Sequence, residues 1–127
     1  MEPDLTVLGA EVRHPIDHVE VFRAPDYVTV VRCVTEEVAS VCPVTGQPDL
    51  SRVEIEYEPD GHCVESKSLK LYLWRFRDQA VFAEALAAEI AGEIFATARP
   101  RRVTVTLTQR PRGGITITAT AERTAEL

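Results

Sequence analysis

From Val103 to Thr118 the chain alternates with a period of two. Val103, Val105 and Leu107 interleave with Thr104, Thr106 and Thr108, and Ile115 and Ile117 interleave with Thr116 and Thr118. Between the two runs stands the turn sequence Pro111-Arg112-Gly113-Gly114. Branched residues in strict alternation form strands with one buried face, and a short glycine-containing break between two such runs makes a hairpin. Arg52-Val53-Glu54-Ile55-Glu56-Tyr57-Glu58 alternates in the same way. It predicts a half-buried antiparallel strand with Val53, Ile55 and Tyr57 inward and its carboxylates toward water.

The remaining segments fill in around these strands. Asp26 to Val34 is dense in β-branched residues and predicts another strand. In Val41 to Asp49 two prolines flank a glycine, which predicts a tight, fixed loop that interrupts any ladder. Ser66 to Phe76 predicts a short helix. Asp78 is the expected cap of a longer one running to about Thr97, with Pro100 as its stop. Met1 to Ala24, broken by Pro3 and Pro15, is expected to be an irregular arm over the surface or over a neighbouring subunit. The order strand, strand, helix, helix, strand, strand predicts one α+β domain over residues 1–127, with an antiparallel four-stranded sheet and helices on one face. Such a sheet has open edges that neighbouring subunits can close.

Composition narrows the function classes. The 127 residues carry 14 Lys and Arg against 20 Asp and Glu, a formal charge of −6. That balance argues against a general nucleic-acid binder, which needs a dominant basic face. No apolar run approaches the ~20 residues of a membrane span, and the first residues lack the basic and apolar regions of a secretory leader. Cys33, Cys42 and Cys63 are an odd number of cysteines, so a reduced, cytosolic protein is expected. His14 and His18 are four apart, but Pro15 intervenes and no Cys-x-x-Cys stands nearby, so no metal site is expected.

Three features could carry chemistry. Cys42 lies in the Pro/Gly loop seven residues before Asp49. A thiolate is a strong nucleophile, and a neighbouring carboxyl group can take the thiol proton and return one to a substrate. An ionised Asp49 would, however, raise the thiol pKa, so the pair makes sense chiefly if Asp49 shuttles a proton. Otherwise Cys42 is a small buried hydrophobe and Asp49 a turn residue. On a helix drawn from Phe82, Glu84 falls at about 200°, between Ala91 near 180° and Phe95 near 220°. A carboxylate among apolar neighbours requires a partner: a ligand, an arginine, or water at the helix end. Finally, Lys67, Lys70, Arg75 and Arg77 form one basic island, and Arg99, Arg101, Arg102, Arg110 and Arg112 another. These either gather phosphates or are solvated faces. No Gly-rich dinucleotide fingerprint is present, which excludes a Rossmann mode.

Val64-Glu65-Ser66-Lys67-Ser68-Leu69-Lys70-Leu71-Tyr72-Leu73, continued by Phe76-Arg77, closely resembles the signature of the NADPH-dependent 7-cyano-7-deazaguanine reductases, the nitrile reductases of queuosine biosynthesis in their short form. Cys42-Pro43, Thr45-Gly46-Gln47-Pro48-Asp49, Phe82 with Glu84, and Pro111-Arg112-Gly113-Gly114-Ile115 match in the same order, over roughly Leu5 to Ile117. The resemblance implies a tunnelling fold (ββααββ) whose subunits assemble into homo-oligomeric rings with active sites at their interfaces. It implies NADPH as cofactor and a deazapurine nitrile as substrate. Cys42 would be the nucleophile and Asp49 the proton-transfer residue. Glu84 would hold the base, with Glu65 and Ser66 also toward substrate. Ser66, Lys67, Lys70 and Arg112 would contact the cofactor. Where the family has a histidine before that glutamate, this chain has Ala83. The alternatives are a related amidinotransferase-like enzyme that captures the same nitrile, or a non-catalytic purine- or pterin-binding subunit on the same scaffold.

Overall fold

The structure, a computed structural model, describes residues 5–126. Its elements run β1 (Val21–Arg23), β2 (Val31–Val41), β3 (Pro48–Glu58), β4 (His62–Val64), α1 (Ser66–Trp74), a 3-10 turn (Arg75–Asp78), α2 (Ala83–Ala98), β5 (Arg102–Arg112) and β6 (Ile115–Thr124). Four strands form one antiparallel sheet in the order β2-β3-β5-β6, and β1 pairs with β4 in a separate short ribbon. This is the α+β tunnelling architecture the sequence implied.

The alternation sets the core. Val53, Ile55, Tyr57, Val103, Val105 and Leu107 are all at most 1% exposed and face Leu86, Ile90 and Ile94 of α2. Each such side chain contributes about 1.5–3 kcal/mol by leaving water. The other sheet face is polar and laced by ion pairs, among them Arg32–Glu54 at 2.5 Å and Arg52–Glu36 at 3.0 Å. α2 ends where Arg99 turns left-handed (φ 50°) and returns its N–H to the Phe95 carbonyl, with Pro100 next.

Several boundaries differ from expectation. β2 begins at Val31 and not Asp26, because Tyr27 takes a positive φ of 73° that a strand cannot contain. It also runs on to Val41, which pairs with Pro48, so the proline-rich segment closes a hairpin instead of breaking the ladder. Asp78 caps nothing. It lies in the 3-10 turn, and α2 starts at Ala83 with Phe82 at its N-cap position. Ile115 and Ile117 remain 66% and 37% exposed at the end of an edge strand.

Of the expected irregular arm, Met1–Asp4 lie outside the described residues, and Val21–Arg23 form β1. The part from Leu5 is tied down at one buried carboxylate. Glu20 accepts from the Thr6 amide at 2.8 Å, the Val7 amide at 3.0 Å and the Thr6 hydroxyl, with His18 Nε2 at 3.2 Å. Burial opposes ionisation of Glu20, but these hydrogen bonds prevail and hold its carboxyl below the usual range. For His18 the hydrogen bond to Asp17, against the cost of partial burial and with help from Glu20, raises the imidazole above its usual value. A raised folded value stabilises fully below the unfolded value of about 6.5 and is lost as pH climbs through the folded one. The Glu20 contribution has the opposite sign, present above the ordinary glutamate value and lost as pH falls through the lowered one. The arm is therefore held best in the mildly acidic window between the two titrations. Amide exchange at Thr6 and Val7, corrected for intrinsic rates, should show greatest protection there. Protection that stays flat across both titrations would refute the anchor.

Candidate active site

Cys42 is placed from two sides. The hairpin loop is closed by Cys42 N–H donating to the Gln47 carbonyl and Gly46 N–H donating to the Cys42 carbonyl, both at 2.9 Å. Gly46 has φ 74°, a turn geometry that a side chain would strain. On the other side, Val41 N–H donates to Gln79 at 2.9 Å and its carbonyl accepts from Val81 at 3.1 Å. The nucleophile candidate is thereby fastened to the segment that leads into α2. Cys42 is half-buried. The Thr45 hydroxyl, then the Thr45 and Val44 amides, hold its thiol below the usual range, against desolvation and the charge of Asp49.

Asp49 is only 5% exposed on β3, opposite Ser40 of β2. Arg112 Nη1 donates to its Oδ1 at 2.7 Å and to the Pro48 carbonyl at 2.5 Å, while Nη2 donates to Gln47 Oε1. Gln47, Pro48, Asp49, Leu50, Arg110, Pro111 and Arg112 line an open pocket of about 320 Å³. Ser40 and Ser51 share the inward face with Asp49, and their hydroxyls are buried without a hydrogen-bond partner among the described residues. Unpaired buried hydroxyls are uncommon and mark this end of the sheet as polar by design.

Glu84 departs from the wheel-based expectation. It is exposed, in the first turn of α2, and it is Ala83 beside it that packs inward at 4% exposure. The Ala87–Ala91 flank is itself buried, but Glu84 stands in the first turn of α2, at the helix end that water reaches, one of the outcomes the sequence left open. The carboxylate of α2 that takes on internal work is Glu93, which accepts from the Val19 amide and the Thr97 hydroxyl, both at 2.9 Å. It was not anticipated.

Glu65 is 4% exposed and serves as the N-cap of α1, accepting from the Lys67 and Ser68 amides at 2.8 Å each. The sequence reading missed this cap because glutamate is outside the favoured Ser/Thr/Asp/Asn set. Lys67 Nζ donates to the Val7 and Ala10 carbonyls of the arm, at 3.0 and 2.6 Å. Ser66 and Lys70 are exposed on the wall of an apolar cavity of about 490 Å³ that also includes Cys33, Leu73 and Trp74. The chain therefore brings Cys42, Asp49 and Arg112 together at one sheet end. Ser66 and Lys70 gather at another cavity, whose lining shares no residue with the Asp49 pocket.

Known proteins supply the remaining evidence. A family model described as "QueF-like protein" matches residues 48–126. A relative from Syntrophus aciditrophicus, named NADPH-dependent 7-cyano-7-deazaguanine reductase, is 44% identical over 93% of this chain and 85% of its own length. One of the same name from Halorhodospira halophila is 43% identical over 85% of this chain and 93% of its own. Among solved structures, the apo archaeosine synthase QueF-Like matches with a TM-score of 0.71 at 27% identity, covering 79% of this chain and 95% of that one. Together with the antiparallel sheet and the Cys42/Asp49 hairpin, these matches make the chain a member of the QueF-like family, to which NADPH-dependent 7-cyano-7-deazaguanine reductases belong.

Proposed function

We propose that this protein reduces the nitrile of 7-cyano-7-deazaguanine to the aminomethyl group, using NADPH and a covalent thioimide on Cys42. The observation that carries the reading is a hairpin thiol made acidic by its own turn, beside a buried carboxylate, in a chain 44% identical to a reductase of that name. A nitrile accepts hydride poorly and offers no leaving group. Addition of the Cys42 thiolate to its carbon gives a C=N unit that is more easily reduced, and Asp49 passes the thiol proton to the nitrogen. Exposed Glu84 is free to accept N–H donors of the base, four residues beyond the bridge that pairs Ala80 with Val41.

The donor chemistry around α1 suits NADPH. Lys70 is exposed and enters no ion pair among the described residues, so its ammonium is available to phosphate, and Ser66 adds a hydroxyl on the same cavity wall. Lys67 joins them if the arm carbonyls of Val7 and Ala10 release it. When bound, NADPH supplies the hydride, two equivalents for each nitrile taken to an amine. We also place the active unit in a homo-oligomeric ring of this one domain, because β2 and β6 are open sheet edges and the Asp49 pocket shares no lining residue with the cavity of Ser66 and Lys70. A reducing cytoplasm suits three free cysteines, and among the described residues no helix is long and apolar enough to cross a membrane.

The direct test mixes purified protein, 7-cyano-7-deazaguanine and NADPH and follows absorbance at the nicotinamide band together with product mass. The expected result is two NADPH consumed for each aminomethyl product. Product formed only with ammonia, and without NADPH, would favour an amidinotransferase-like enzyme. Tight binding without any product would leave a carrier of the base.

A further inference from the structure

We propose that Arg112 is the positioning residue of the Cys42/Asp49 pair: its guanidinium fixes the Asp49 carboxylate and cancels that carboxylate's charge toward the sulfur. This rests on the reading of Cys42 and Asp49 just given. A nucleophilic thiol beside a lone carboxylate is a contradiction, since a negative neighbour disfavours the thiolate. A buried lone carboxylate is unfavourable on its own account as well. Arg112 resolves both. It donates to Oδ1 of Asp49 at 2.7 Å, and Oδ2 has no hydrogen bond among the described residues. Oδ2 is thus left to take the thiol proton as the carbon–sulfur bond forms and to return it to the nitrile nitrogen.

The fold has devoted local structure to aiming this side chain. The ladder between β5 and β6 shifts register between Gln109 and Arg112, a bulge that carries Pro111. Arg112 then pairs with Ile115 across Gly113 and Gly114, whose φ values of 61° and 81° suit a two-residue turn of left-handed residues. The guanidinium crosses back to the start of β3 and grips Gln47, Pro48 and Asp49 together. Nη1 spends both its hydrogens on Pro48 and Asp49, so the end of the side chain that faces Asp49 is fully engaged there. The groups that act on the Cys42 sulfur are the Thr45 hydroxyl, the Thr45 and Val44 amides of its own loop, and the Asp49 carboxylate. The bridging segment Gln79–Val81 brings no charge.

Alkylation of Cys42 by iodoacetamide, followed peptide by peptide across pH, tests the proposal without nitrile or NADPH, so it stands whatever the turnover experiment shows. In Arg112→Ala the rate at neutral pH should fall at least about threefold and the profile should move to higher pH. Arg112→Lys should recover part of the loss, since a point charge replaces a forked one. In an Asp49→Asn background, removal of Arg112 should change nothing further. Should the alanine variant fail to fold, Arg112→Gln, which can still hydrogen-bond without charge, answers the same question by behaving unlike wild type. A profile that superimposes on wild type in these variants, with KM rising for NADPH far more than for NADH, overturns the proposal and makes Arg112 a phosphate contact.

Discussion

Cys42→Ala should show no NADPH consumption with the nitrile above the rate without protein, a loss of at least about 10³-fold. The size of the effect follows from chemistry, not from packing. Without sulfur there is no thioimide, and among the described residues the other two thiols, Cys33 and Cys63, lie on β2 and β4, outside the hairpin loop. Because the Cys42 side chain is half-buried in a loop held by backbone hydrogen bonds, the substitution should leave the fold intact. Intact-protein mass after incubation with nitrile alone gives an independent readout: wild type gains the mass of the substrate and Cys42→Ala gains nothing. An adduct that persists in the alanine variant, on Cys33 or Cys63, would move the nucleophile elsewhere. Cys33 is a poor rival, since burial raises its thiol above the usual range.

Phe76→Ala should cost about 3–5 kcal/mol of stability, the larger of the structural effects expected. Phe76 is fully buried in the 3-10 turn and meets Tyr72 edge-on at 5.3 Å, with the Arg75 guanidinium 5.0 Å from its ring. Neither helix can slide in to fill the void without moving the sheet. The consequence reaches the active site, because the Phe76 carbonyl accepts from Gln79 at 3.0 Å, and Gln79 in turn holds Val41 beside Cys42. Urea unfolding at fixed protein concentration should show the midpoint falling with little change in slope, and thermal unfolding should come roughly 10 °C earlier or more. A loss below about 1 kcal/mol would show that the turn is not part of the cooperative core.

What was legible in the sequence depended on how local its cause was. The inward faces of β3 and β5 were readable because a strand's two-residue period is a property of consecutive residues. The family motifs were readable for a similar reason, being short runs at fixed intervals. Glu84 shows the limit. A helical wheel ranks positions around an axis but not along it, and residue 84, in the first turn, is exposed although Ala91 on the same flank is buried. Glu65 shows another limit, since its capping role requires a backbone angle that glutamate does not announce.

The sequence by itself determined the four strands of the main sheet, the two helices, a thiol in a tight Pro/Gly loop and the family, because alternation, breakers and motif spacing act over a few residues. Only the tertiary structure decided that Arg112 faces Asp49, 63 residues away, that Lys67 is held by the arm, and that the cavity with Ser66 and Lys70 on its wall shares no lining residue with the Asp49 pocket. Those pairings depend on sheet order and on the bulge ahead of Gly113, which bring distant segments together by packing. No local pattern encodes that.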